Sequence, residues 1–186
     1  MSRIVISSGH SRHVAGARGY LDEVTEARKV VALVASYLRE LADHAVEYHD
    51  DISRTQAENI NRIVGFHNAQ SRDLDLSVHF NAFARTEQPR GVEVLHYSIG
   101  TADRAAAISR AIASASGLIN RGPKARTDLG FLRNTNKPAL LVEVCFVDSK
   151  ADCAIYEDKF EEICLSIAET VTGRKLPRDL FQEAKP

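Results

Sequence analysis

Apolar residues fall into two kinds of run along this chain. The first is short and continuous: residues 3–7 (Arg-Ile-Val-Ile-Ser), 74–79 (Leu-Asp-Leu-Ser-Val-His) and 138–144 (Pro-Ala-Leu-Leu-Val-Glu-Val). Runs of this length, rich in Val, Ile and Leu and bounded by turn residues, read as buried strands. The second kind recurs at steps of three and four. Val30, Leu33, Val34, Tyr37, Leu38 and Leu41 share one helical face, and acidic residues from Asp22 onward mark the start of that helix. A short strand is expected at 45–49, then a polar turn in which Ser53 and Gln56 make a capping box for a helix burying Ala57, Ile60, Ile63, Val64 and His67 or Phe66. Residues 91–97 alternate apolar and polar, predicting a strand with one solvated face. A helix over 101–116, with Ala105, Ile108, Ile112 and Ala115 inward, stops at Gly117. Residues 9–19 read as a Gly-rich loop, and 120–137 as mostly loop with a short strand at Phe131-Leu132. A last helix over 155–171 buries Phe160, Ile163, Cys164 and Ile167 and closes at Gly173. Strand and helix alternate throughout, so the expected fold is α/β: a single twisted sheet of about five or six strands, mostly parallel or mixed, flanked by helices.

The three continuous runs end in residues able to bind or serve a metal: His10, His79 and Glu143. In open α/β sheets, ligands bind just beyond the carboxyl ends of the strands. Two imidazoles and a carboxylate delivered there suit a catalytic zinc, which takes three protein ligands and keeps one open position. Taken singly, each histidine also fits a hydrogen-bonded turn or core imidazole. Glu143 lies inside an apolar run, and a buried charge requires a partner, either a basic residue or a metal-activated water.

With 186 residues, 44% of them hydrophobic, the chain suffices for one well-buried domain. The near balance of 24 basic and 25 acidic side chains exerts no global pull toward nucleic acid or anionic membrane. Of the three cysteines, Cys145, Cys153 and Cys164, the first lies in an apolar run and the last on an apolar helical face, so they read as packed free thiols from a reducing compartment. No run approaches the roughly 20 apolar residues of a membrane span. The amino terminus enters a strand without a charged leader, so a signal peptide is not expected.

The segments Ser8-Gly9-His10, Gly16-Ala17-Arg18-Gly19-Tyr20-Leu21-Asp22-Glu23, Ser77-Val78-His79-Phe80-Asn81-Ala82 and Pro138 through Asp148 occur in order over nearly the whole chain. Together they resemble the zinc-dependent N-acetylmuramoyl-L-alanine amidases of the Amidase_3 type, especially the phage endolysin branch. The resemblance implies that zinc is held by His10, His79 and a glutamate at the start of the first helix, with Glu143 as the catalytic glutamate. Glu23 is the favoured third ligand and Glu26, one turn on, the alternative. The implied activity is peptidoglycan hydrolysis at the amide joining N-acetylmuramic acid to L-alanine. The alternatives are a zinc peptidase acting within the stem peptide and a non-catalytic wall-binding module. A monomer is implied, with residues 1–174 as catalytic domain and 175–186 as linker or tail. It would remain cytoplasmic until released to the wall. Ser7-Ser8-Gly9-His10-Ser11 departs from the family's usual Asp-Pro-Gly-His-Gly-Gly, which bears on substrate contacts in that loop.

Of the remaining candidates, His13, His44, His49 and His67 read as surface or helix-packing residues, and His96 as core or cleft lining. Arg133 and Asn134 are solvated loop residues or contacts for glycan or peptide carboxylate. Cys145 shares strand parity with Glu143, so it can lie near the site, yet no histidine close in sequence marks it as a nucleophile.

Overall fold

The computed structural model describes residues 2–177. Six strands, β1 (Arg3–Ser11), β2 (His44–Asp50), β3 (Leu74–Asn81), β4 (Val92–His96), β5 (Asn120–Ala125) and β6 (Ala139–Phe146), form one sheet in the order β2-β1-β3-β6-β4-β5. The helices are α1 (Glu23–Leu41), α2 (Gln56–Ala69), α3 (Ala102–Ser116), α4 (Gly130–Asn134), α5 (Lys150–Asp158) and α6 (Phe160–Thr172). β1, β2, β3 and β6 run parallel, while β4 and β5 run against them. The sheet is therefore mixed, as the alternation of patterns predicts.

Continuous apolar runs become central strands because both their faces are covered. α1, α3 and α6 pack on one face, where Ile4, Ile6, Leu76, Val78, Leu140 and Val142 meet Val30, Val34, Ile108 and Ile167. α2 and α4 cover the other, with a smaller cluster of Ile63, Val64, Phe131, Leu132 and Leu141. The chain leaves β1 over one face to reach β2, then returns over the other to β3 on the far side of β1. The carboxyl ends of β1 and β3 thus flank the point where strand order reverses, the ligand-binding position of an open α/β sheet.

Several expectations are corrected. β1 continues to Ser11, so Gly9 and His10 belong to the strand rather than to a loop. The capping box is Thr55 with Glu58, not Ser53 with Gln56. Both pairs have the required spacing, but the Glu58 carboxylate accepts from the Thr55 and Arg54 N–H groups, while Ser53 is buried with its N–H on Asp50. In α2, Ala57 is exposed and Asn59 takes the inward position, donating to the buried Asp50. β4 has no solvated face; flanked by β5 and β6, it buries Glu93 and His96, which bond to Asn81 and Arg121 and to the Ser98 carbonyl respectively. Ser109 rather than Ala115 is buried in α3. Residues 120–125 form a strand, tolerated despite Gly122 and Pro123 because β5 is the sheet edge. Phe131-Leu132 is helical.

The final helix is two helices broken at Lys159, and Phe160 is only half-buried. α5 is tethered to the strand ends through Asp152, which accepts from Arg90, Gly91 and Phe146, whereas α6 packs on α1 and α3. Of the expected tail, Leu176 is buried in the main core and donates its N–H to Glu169; residues 178–186 lie outside the described residues. Among the described residues no helix is long and apolar enough to cross a membrane.

Candidate metal centre

His10, Glu23 and His79 arrive from β1, the first turn of α1 and β3. Each offers one ligand atom, and these atoms lie within 4.8 Å of one another. His10 adopts φ 61°, left-handed backbone that is uncommon for a side-chain-bearing residue and more frequent for His, Asn and Asp. This turn-out at the strand end aims its ring back across the sheet, 5.3 Å from the His79 ring. Asp22 caps α1 by accepting from the Thr25 N–H, which leaves Glu23 as the first helical residue, 3% exposed. The Glu23 carboxylate accepts from Ala17 N–H at 2.6 Å, Phe80 N–H at 3.1 Å and His79 Nδ1–H at 2.9 Å, and lies 3.3 Å from His10 Nε2. Burial alone would raise its pKa, but hydrogen bonds and charge from His10 and His79 hold it far below the usual carboxylate range.

Two glycines leave room for these side chains. A Cβ on Gly9 would run into the His79 ring, and one on Gly16 would lie 2.5 Å from Glu23 Oε2 and 2.9 Å from the His10 ring. Glycine at these positions reflects close approach of backbone to the His79, His10 and Glu23 side chains. The Nδ1 of His10 is buried without a hydrogen-bond partner. The other ring nitrogen, Nε2, faces Glu23, and two imidazoles and a carboxylate with ligand atoms this close are the donor set a divalent metal would satisfy.

Glu143 is the register partner of His79 across β3 and β6, and of Glu93 across β6 and β4. Its Oε2 is buried with no partner. Burial, reinforced by the negative charges of Glu23 and Glu93 and opposed by Arg126, pushes its pKa up to about 8. Such a carboxyl can hold and release a proton near neutrality. Neither Glu93 nor Arg126 is marked by local sequence; both reach this neighbourhood through strand pairing on the antiparallel side of the sheet.

Glu26 is also buried, but it bonds elsewhere, accepting from Tyr156 OH at 3.0 Å and Lys29 Nζ at 2.8 Å. Cys145 is turned away from Glu143. Between His79–Glu143 and Asn81–Phe146 the register advances two residues on β3 and three on β6, and this bulge rotates Cys145 into the main core beside Val144. Burial drives its thiol pKa far up, which suits packing rather than nucleophilic attack. Cys153 and Cys164 are likewise buried free thiols.

His67 is neither a surface nor a simple packing residue. Its ring bridges Ser7 Oγ at 2.9 Å and Asp75 at 2.8 Å, and Arg72 donates twice to Asp75. This serine, histidine and aspartate are fully buried, so no substrate reaches them. His49 pairs with Ser8, while His13 and His44 are exposed. Arg133 is exposed, and the Asn134 carbonyl ties α4 to α2 through Asn68.

The sequence profile of N-acetylmuramoyl-L-alanine amidases matches residues 4–172. An uncharacterized protein of Clostridium perfringens is 32% identical over 190 residues, covering 98% of this chain and 55% of its own length. The endolysin of Bacillus phage SPP1 is 34% identical over 165 residues, covering 83% of this chain and 59% of its own. The chain therefore spans about half the length of the curated relatives it matches. Among solved structures, the catalytic domain of an endolysin targeting Clostridium difficile superposes with a TM-score of 0.84 at 24% identity, over 95% of this chain and 100% of that one. At that identity the likeness bears on the fold.

Proposed function

The chain belongs to the N-acetylmuramoyl-L-alanine amidase family, and from that premise we propose that it is a peptidoglycan hydrolase cutting the amide between the lactyl group of N-acetylmuramic acid and the L-alanine of the stem peptide. The observation that carries this reading is the meeting of His10, Glu23 and His79 beside the unpartnered carboxyl of Glu143. Two imidazoles and one carboxylate match a catalytic zinc site with one position left for chemistry. In this reading His10, Glu23 and His79 hold zinc and residues 1–174 are the catalytic unit. The chain works as a monomer, waiting in the cytosol until it is released to the wall.

When bound, zinc supplies Lewis-acid polarisation of the scissile carbonyl and offsets the negative charge that develops on its oxygen. Glu143, pushed up by burial and lying opposite His79 across β3 and β6, is placed to hold and release a proton near neutrality. Glu143 takes a proton from the attacking water as the carbon–oxygen bond forms. The same carboxyl then returns that proton to the amide nitrogen as the carbon–nitrogen bond breaks. The products are a lactyl carboxylate and a free L-alanine amino group. Glu23, held by two backbone N–H groups, keeps both imidazoles oriented throughout.

The reading is tested by digesting purified peptidoglycan with and without chelator. New L-alanine termini that vanish with chelator and return with zinc are expected. Termini within the stem peptide would make the protein a peptidase, and wall binding without any new terminus would make it a binding module. Glu143→Gln is expected to keep zinc and fold while turnover falls about 10²–10⁴-fold; wild-type turnover in that variant refutes the role of Glu143.

A further inference from the structure

We infer that Phe83 is a carbohydrate-stacking position on the rim of the metal centre, holding the glycan side of the substrate; this rests on the amidase reading. Phe83 follows His79 by four residues and is 81% exposed. Single exposed apolar side chains are common and by themselves carry no meaning. This one stands on an anchored loop. Its N–H donates to Asp148 Oδ2 at 2.7 Å, and the loop that follows is tied down by Thr86 N–H to the Asp148 carbonyl and Ser149 Oγ to the Gln88 carbonyl. At the loop's end the Arg90 and Gly91 N–H groups both reach Asp152.

The ring is also the outer member of a stack that leads inward. The Arg90 guanidinium lies 5.1 Å from the centroid of Phe83 and 5.6 Å from that of Phe146, and Arg121 lies 5.0 Å from Phe146. Arg121 donates to Glu93 at 2.8 Å, and Glu93 is the cross-strand neighbour of Glu143. The stack thus runs from the surface to the strand pair that carries the proposed catalytic carboxyl. A second pair, Arg85 at 4.5 Å from Tyr20, stands on the same anchor, since the Tyr20 N–H donates to the Val147 carbonyl. The comparably exposed Ile99 has no such setting. It follows the carboxyl end of antiparallel β4, at the opposite end of the sheet from the metal centre.

The chemistry of the substrate selects the occupant. On the peptide side of the scissile amide, L-alanine presents a single methyl group. On the glycan side, a pyranose ring presents a flat C–H face and an N-acetyl methyl. With a guanidinium against one face of Phe83, the remaining surface suits a flat apolar face, and the sugar supplies one.

The test uses the whole zinc-loaded chain and a peptide-free tetrasaccharide of alternating N-acetylglucosamine and N-acetylmuramic acid, with binding followed by saturation-transfer NMR. The wild type is expected to bind. Phe83→Ala and Phe83→Leu should each weaken binding about tenfold, while Phe83→Trp should retain it. Leucine keeps apolar bulk without a flat face, so wild-type binding by Phe83→Leu overturns stacking. No binding by the wild type, or equal binding by Phe83→Ala, overturns the proposal outright. In turnover, Phe83→Ala should raise KM about tenfold for a glycan-bearing muropeptide and leave it unchanged for the same peptide capped by a bare lactyl group. An equal effect on both substrates overturns the glycan assignment. Failure of the wild type to cleave either substrate would remove the amidase reading, and the tetrasaccharide titration would still decide whether Phe83 holds sugar.

Discussion

Glu23 and Glu26 stand three residues apart on the first turn of α1, so local sequence offers both to the same helix end. Their surroundings separate them. Glu23 accepts from Ala17, Phe80 and His79 with His10 alongside, whereas Glu26 accepts from Tyr156 and Lys29. Glu26→Ala is therefore expected to leave zinc stoichiometry intact and to lower stability by about 1–3 kcal/mol, because the buried Tyr156 hydroxyl loses its acceptor. Glu23→Ala is expected to lose zinc. Zinc counting alongside urea melts checks both, and metal loss in the Glu26 variant would reverse the assignment. The two histidines of the candidate centre are legible because each closes an apolar run. The role of His67 is not, since its partners Ser7 and Asp75 are brought to it by pairing of β1 and β3 beneath α2.

At the scale of elements, periodicity located the buried strands and the long helices, because a covered strand or helix face must be apolar along its length. It failed where an element is short or lies at an edge. β5 reads Asn-Arg-Gly-Pro-Lys-Ala and is almost wholly exposed, so no apolar signal marks it. Cys145 is the packed free thiol its apolar context predicts; the proximity to Glu143 that alternation allows is not realised, because β6 carries a bulge just past Glu143. The α2 cap shows a third kind of failure, two overlapping sequence matches of which one closes. Thr55→Ala is expected to cost about 1 kcal/mol. Thermal or urea unfolding measures this, and a change within a few tenths of a kcal/mol would mean that the box adds little to the folded state.

For the molecule as a whole, Glu143 should cost the metal-free protein stability as pH rises through neutrality. The Glu143 carboxyl titrates at about 8 in the fold against 4.5 ordinarily. Between those values the folded state keeps a proton that the unfolded chain releases. The stabilising contribution is thus complete below about 4.5 and gone above about 8. Glu23 acts in the opposite sense; its depressed pKa contributes stability that is lost as pH falls below 4.5. Urea unfolding of chelator-treated protein at about pH 5 and about pH 8 should show the first effect as a decline on the order of a few kcal/mol, flattened in Glu143→Gln. His49 and His67, whose pKa values burial lowers, act in the opposite sense over the same interval, so the Glu143 effect is read as the difference between wild type and Glu143→Gln; equal pH profiles for the two would contradict the burial of Glu143. Excess zinc should raise the unfolding midpoint by an amount that grows with the logarithm of zinc concentration over its Kd for the folded site.

Which segments become strands, which become helices, and where the histidines and Glu143 fall at strand ends are properties of the sequence by itself. They follow from local periodicity and from the need to cover apolar faces. Which glutamate faces the histidines, where the bulge turns Cys145, and which charges surround Glu143 are decided only in the tertiary structure. Glu23 meets His79 across 56 residues and Glu26 meets Tyr156 across 130. No local pattern encodes partners at such separations; they follow from the strand order and its register.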